Sequence, residues 1–279
     1  MRSVQRLLPA RPADVAGAAV LRALPRRELR RVGPFVFVDQ FLPPASGQPA
    51  PMHVPAHPHH GLQTVTYLYQ GAVRHRDSLG TSQVIEPGAV NWMTAGKGIV
   101  HAEDAVAGAA PARGLQTWVA LPPALREVEP AFEHLDAADV PEWVQPGARV
   151  RVLAGRQGSR EAPVKTFSAV VYLDVQLEAW AKLELPVEPG HDLAVYPAEG
   201  QVLVGGTMVE EGVLAHLEPG DGLLELSCMA RPCRAVVLGG APLPEPTVIW
   251  WNYVVASVAE GRAREQAWRE GRVPFTLPD

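Results

Sequence analysis

Nine histidines occur in the 279 residues, and six of them (His53, His57, His59, His60, His75 and His101) fall between positions 53 and 101. Imidazole is the commonest side-chain ligand for metals and suits iron, zinc, copper and nickel, so this density points first to a metal. The spacing sharpens the point. His57 and His59 stand two residues apart, as do His101 and Glu103. On a strand, residues i and i+2 face the same way. Two such pairs on neighbouring strands bring three imidazoles and one carboxylate to a single point. Four protein donors leave two positions open on an octahedral ion, and a catalytic metal needs open positions. Gly96-Lys97-Gly98 turns the chain just before the second pair. By the same alternation His60 faces away from His57 and His59, so it is read as a residue behind the ligands or at the surface. His53, in an expected loop before Pro55, and His75, between Arg74 and Arg76, are read as ordinary polar residues.

The elements that must position these pairs are short strands. There are 28 prolines and 25 glycines, roughly a fifth of the chain, against about 12% in ordinary globular chains. They are spread throughout, which a helical bundle cannot absorb. Apolar or alternating runs of four to eight residues lie between them. Examples are Phe35-Val36-Phe37-Val38, Thr64-Val65-Thr66-Tyr67-Leu68-Tyr69, Leu115-Gln116-Thr117-Trp118-Val119-Ala120 and Val170-Val171-Tyr172-Leu173-Asp174-Val175. Such runs with regular turns predict an all-β sandwich or jelly-roll barrel.

A weak internal repeat appears when the turns are aligned. Leu68-Tyr69-Gln70-Gly71 leads on to Glu86-Pro87-Gly88, and Pro197-Ala198-Glu199-Gly200 leads on to Glu218-Pro219-Gly220-Asp221. Each half is therefore expected to form one barrel, residues 1–130 and 131–279, with the boundary inside the proline-bearing stretch 122–146. Only Ala259 to Gly271 reads as a helix, with Trp268 on a covering face and Gly271 as its stop. The second half carries no comparable donors. Positions equivalent to the histidine pairs are Pro186, Glu188, Cys233 and Ala235, and His216-Leu217-Glu218 aligns with Val84 and Glu86, which are not donors. A second metal site is not expected.

Composition narrows the function. The net charge is -5, and the one basic run, Arg26 to Arg31, is short and interrupted by Glu28, which argues against direct nucleic-acid binding. No apolar run approaches the roughly 18 residues that cross a membrane, and the first residues do not form a secretory leader. Cys228 and Cys233 stand alone and are read as reduced thiols in a cytoplasmic protein.

Two motifs make the sequence recognisable. His57-Pro58-His59-His60-Gly61-Leu62-Gln63-Thr64-Val65-Thr66-Tyr67-Leu68 resembles a signature of the pirin family, as does Asn91-Trp92-Met93-Thr94-Ala95-Gly96-Lys97-Gly98-Ile99-Val100-His101-Ala102-Glu103. Val32 to Phe41, Leu238 to Leu243 and Ile249 to Tyr253 are similar to other stretches of the same family. The resemblance implies a bicupin, two cupin-type jelly-roll barrels with a short C-terminal helix.

The family's metal ligands fall on His57, His59, His101 and Glu103. The resemblance implies one non-haem iron(II) ion, although the same donors suit manganese, nickel, copper or zinc. It also implies an oxidoreductase of the quercetin 2,3-dioxygenase type. A planar flavonol loses its hydroxyl proton to Glu103, reacts with O2, and its ring opens with loss of carbon monoxide. Trp92, Met93 and Trp118 are candidate walls for that substrate, with core packing the expected role of Trp118. Gln63 departs from the pattern, because many relatives carry glutamate there, and Glu103 is left as the evident acidic ligand. The family resemblance also implies an alternative: a metal-dependent regulatory protein read by a protein partner.

Overall fold

Short runs between glycine- and proline-bearing turns form the strands, several of them buried along both faces, as Phe35–Phe41 and Val90–Thr94 are. The computed structural model describes residues 1–42, 52–220 and 222–277; Asp221, the last residue of the second aligned turn, lies outside them.

The first strands are β1 (Val4–Pro9), β2 (Arg11–Val15), β3 (Ala18–Leu24), β4 (Phe35–Phe41), β5 (His53–His59) and β6 (Leu62–Gln70). There follow β7 (Val73–Asp77), β8 (Ser82–Ile85), β9 (Val90–Thr94), β10 (Ile99–Ala105), β11 (Arg113–Ala120) and β12 (Ala131–Leu135). Further on come β13 (Glu142–Gln145), β14 (Ala148–Gln157), β15 (Arg160–Glu161), β16 (Val170–Leu177), β17 (Lys182–Val187) and β18 (Asp192–Glu199). The last are β19 (Val202–Val204), β20 (Thr207–Val209), β21 (Val213–Leu217), β22 (Gly222–Ser227), β23 (Cys233–Gly240), β24 (Val248–Trp250) and β25 (Tyr253–Val255). One α-helix, α1 (Val258–Arg269), closes the order.

Four of the sheets come in two pairs, one for each expected barrel, and β24 and β25 form a fifth, two-stranded one. A seven-stranded sheet, ordered β12-β9-β6-β11-β4-β3-β2, accompanies the four-stranded sheet β5-β10-β7-β8. An eight-stranded sheet, β1-β21-β18-β23-β16-β14-β13 with β15 on β14, accompanies β17-β22-β19-β20. In the first pair, Val20, Phe41, Leu68, Val73, Ile85 and Ala89 form a buried apolar cluster.

The compact units are not the continuous stretches 1–130 and 131–279. One comprises residues 1–11, 22–35 and 138–243, the other residues 12–21, 36–137 and 244–279. The exchange follows from strand pairing. β1 hydrogen-bonds along β21, with Leu7 opposite Ala215 and Leu8 opposite Leu214, so the chain's start completes the second sheet pair. At the other end, the Val254 amide donates to the His60 carbonyl at 2.9 Å, tying the closing hairpin and helix to the histidine-bearing unit.

The helix begins one residue before the expected start because Ser257 caps it. Its Oγ accepts from the Glu260 amide at 3.1 Å, and a Glu260 carboxylate oxygen accepts from the Ala256 amide at 3.0 Å. This reciprocal pair satisfies two otherwise unpartnered donors. Replacing Ser257 with alanine is expected to lower stability by about 1 kcal/mol, read as a lower urea midpoint with an unchanged m-value.

Cys228 and Cys233 correct an expectation. They are joined in a disulfide, their Cα atoms 6.5 Å apart, because the short connection between β22 and β23 folds back and brings its two ends together. Among the described residues, no helix is long and apolar enough to cross a membrane.

Candidate metal centre

Three neighbouring strands carry the polar core of the histidine-bearing unit. β10 lies between β5 and β7, with His101 opposite His57 on one side and Asp77 on the other, and Glu103 opposite His75. Each strand contributes an i, i+2 pair to the inner face: His57 and His59, His101 and Glu103, His75 and Asp77. On β7 the alternation is plain, since Val73, His75 and Asp77 are buried, Arg74 is exposed and Arg76 is half-buried. Two glycines let the flanking turns close. Gly61 and Gly96 adopt positive φ of 71° and 51°, and a Cβ on either would collide with a carbonyl oxygen, that of Val254 or Val128. The Gly61 amide donates to the Gly96 carbonyl at 2.9 Å, joining the turn that follows the first pair to the turn that precedes the second.

The three ligand-type histidines of the sequence reading converge. Nitrogens of His57, His59 and His101 lie within 4.8 Å of one another, with ring centroids 4.3 to 5.0 Å apart. Glu103 joins through a second set at the same spacing, made with His75 and His101. The four expected residues are therefore divided between two sets that share His101, the second of which also contains His75.

The hydrogen bonds of each ring show which nitrogen is left for a ligand. His57 Nδ1 lies 2.8 Å from the Pro55 carbonyl, and His59 Nδ1 lies 3.0 Å from the Asn252 carbonyl. A carbonyl only accepts, so both rings carry their proton on Nδ1 and present a bare Nε2. His101 Nδ1 is engaged by His75 Nδ1 at 3.3 Å, and His101 Nε2 is buried without a hydrogen-bond partner. A buried, unpartnered ring nitrogen on His101 and bare nitrogens on His57 and His59 are donors of the kind that would hold a divalent transition metal, and the residues fit one.

Electrostatics agree. Burial holds His59 and His101 well below the ordinary histidine value, and neighbouring imidazoles push them further down. Burial also lowers His57, although its bond to the Pro55 carbonyl works against this. All three are thus favoured in the neutral, ligating form. Glu103 is raised, chiefly by burial, while His75 and the Thr66 hydroxyl pull the other way. Thr66 Oγ1 lies 2.8 Å from Gln116 Oε1 and 3.2 Å from Glu103 Oε1, and its single proton serves one at a time.

His75 was misjudged from its arginine neighbours. It is 2% exposed, stacks on Phe132 at 4.5 Å, and its Nε2 lies 2.9 Å from Asp77 Oδ2. The signal that could have found it is the i, i+2 rule already applied to the other pairs. Asp77 carries the same signal. His53 opens β5, where a loop was expected, and its Nδ1 lies 2.6 Å from Asp104. His60 does alternate away, but it is buried and not at the surface. Its Nε2 faces Glu127 and Glu260 at 3.6 and 3.7 Å. Arg264 bonds to both carboxylates at 3.0 Å, so a guanidinium already offsets one of the two negative charges. The Gln63 amide donates to Thr94 Oγ1 at 2.8 Å, a bridge between β6 and β9.

Of the candidate walls, Trp118 stacks on Phe37 at 4.1 Å and meets the His59 ring edge-on at 5.0 Å. Trp92 and Met93 are almost fully buried. In the second half His216 pairs with Asp192 at 2.7 Å. Among the described residues of that half, no set of three metal-capable side chains forms.

Known proteins agree with this architecture. Residues 17–119 match the Pirin family and residues 172–274 the Pirin C-terminal cupin domain. A pirin-like protein of Caulobacter vibrioides is 37% identical over 97% of this chain and 94% of its own length. Human pirin is 33% identical over 83% of this chain and 80% of its own. A crystal structure described as quercetin 2,3-dioxygenase from Acinetobacter baumannii superposes with a TM-score of 0.89 at 31% identity, covering 97% of this chain and 90% of that one. With both of its cupin domains matched and relatives aligned along most of its length, the chain belongs to the pirin family.

Proposed function

We propose that this protein is a mononuclear metal dioxygenase that opens a flavonol such as quercetin with O2, and that its ion is iron(II) held by His57, His59, His101 and Glu103. The observation that carries the reading is the set of three imidazoles whose Nδ1 atoms are all engaged while their Nε2 atoms are left for a common ion. Similarity to a protein described as a quercetin 2,3-dioxygenase supports the substrate class. Iron(II) in this donor set supplies redox chemistry toward O2 and a positive charge for a flavonol oxygen.

The chain's own residues do the rest. Glu103 is both the acidic ligand and the base that takes the flavonol hydroxyl proton on a carboxylate oxygen. Burial raises it toward the range where a carboxylate is an effective base, and the nearby cation works in the opposite sense. The stacked Phe37 and Trp118 rings beside His59 offer an apolar flank for a planar substrate. The neutral Gln63 adds no second acidic ligand, so Glu103 is the one carboxylate in the proposed ligand set.

Oxygen consumption tests the reading. Protein loaded anaerobically with iron(II) and then mixed with aerated quercetin is expected to consume oxygen as the flavonol absorbance falls. A loaded protein that consumes none with any flavonol would sink the dioxygenase reading and favour a regulatory protein that signals its metal state to a partner.

A further inference from the structure

We infer that Asp77 and His75 form a relay that sets the tautomer of His101, and that they are positioning residues which keep the His101 Nε2 lone pair available to a metal. The inference rests on the metal-site reading above and adds two residues to it. The chain of contacts runs from Asp77 Oδ2 to His75 Nε2 at 2.9 Å, and from His75 Nδ1 to His101 Nδ1 at 3.3 Å. All three side chains are at most 2% exposed, so water cannot substitute for a missing partner.

Proton counting sets the direction. An ionised carboxylate only accepts, so His75 carries its proton on Nε2. In the neutral ring His75 Nδ1 is then bare and can only accept, so His101 donates from Nδ1. His101 Nε2 is left without a proton, and it is the buried atom that has no partner. Phe132 stacks on the His75 ring with planes 23° apart and holds it in line. His57 and His59 need no such relay, because backbone carbonyls set their tautomers. His101 has an imidazole in that place, which alone could donate or accept. Asp77 removes the ambiguity.

Asp77 is itself fixed in a way that makes the inference sharp. Its Oδ1 accepts from the Leu79 and Thr81 amides at 2.9 and 3.1 Å. In Asp77→Asn those two donors hold the amide oxygen at the Oδ1 position, which forces the amide nitrogen toward His75 Nε2. His75 Nε2 must then accept from the amide, the His75 proton moves to Nδ1, and His101 is driven to carry its own proton on Nε2. One nearly isosteric change thus inverts the whole chain and blocks the ligand atom.

The test has two arms. In nitrogen-15 NMR of the metal-free protein, wild type is expected to show His101 protonated at Nδ1 and His75 at Nε2, with both assignments reversed in Asp77→Asn. In competition with a chromophoric chelator, Asp77→Asn is expected to bind nickel(II) about 10- to 100-fold more weakly, the usual scale for residues that orient a metal ligand. His75→Phe should lose a similar factor, and the double variant no more than either, because the residues act as one unit. His75→Asn keeps an acceptor for His101 Nδ1 and should bind more tightly than His75→Phe, which separates the relay from a loss of packing. Wild-type His101 protonated at Nε2, or nickel affinity unchanged in Asp77→Asn, would overturn the relay. A large loss in His75→Phe with none in Asp77→Asn would overturn it too, by making His75 a direct ligand. If wild type binds no nickel, manganese or iron, the metal-site reading fails instead, and the NMR arm still decides the relay.

Discussion

Replacing His101 with alanine is expected to weaken divalent-metal binding about a hundred- to a thousand-fold and to remove oxygen consumption with it. Structural zinc sites with four ligands gain about 10–16 kcal/mol, so each ligand is worth roughly 3 kcal/mol. His101 is the point of greatest leverage, because it is the one residue common to both donor sets. Its Nε2 makes no competing hydrogen bond, so no protein contact at that atom offsets the loss. The control is His53→Ala, in the same strand as His57 and His59 but paired with Asp104, which should bind metal as wild type does. Chelator competition on both variants, with circular dichroism to confirm the fold, makes the comparison. Near-wild-type affinity in His101→Ala would place the metal elsewhere.

The metal-free protein is expected to lose stability steeply as pH falls below about 6.5, the ordinary histidine value. His59 and His101 are held well below that value, first by burial and then by neighbouring imidazoles. In the unfolded chain both bind protons near pH 6.5, whereas in the folded chain they do so only at lower pH. Their contribution is therefore fully present above the unfolded value and is lost as pH falls toward the folded ones. The loss approaches about 1.4 kcal/mol per pH unit for each imidazole, or about 2.7 kcal/mol for the pair. His57 is shifted in the same direction. Glu103, raised above its ordinary value, works in the opposite sense: the folded chain gains stability from it as pH falls through its folded value. Urea unfolding at pH 7.5 and 5.5 measures the balance, and equal midpoints would contradict it. His101→Ala should show a shallower loss, since one of the two imidazoles is gone.

Much of the site was legible before the fold. Period-two spacing alone placed His57 with His59 and His101 with Glu103, and the turn at Gly96-Lys97-Gly98 was visible in its residue types. The same rule would have placed His75 with Asp77, but charged neighbours drew attention to β7 as surface, and only one of its two faces is. The cysteines were misread because a spacing of five says nothing about whether the intervening chain doubles back. The continuous halves were misread for a related reason. β1 carries no mark that its partner is β21, more than two hundred residues away.

What the sequence by itself determined is local: short strands from alternation and abundant turns, which side chains share a strand face, and which of them are donor types. These follow from backbone geometry over two to four residues, where side-chain direction is set by position in the strand. What only the tertiary structure decided is register and partnership. His101 lies between His57 and Asp77 because β10 pairs with β5 and β7 in one alignment, and a shift of one residue would turn the ligands to the other face. His59 presents Nε2 because a carbonyl from Asn252, 193 residues further along, engages its other nitrogen. Such contacts depend on the packing of whole sheets, and no short stretch of sequence encodes them.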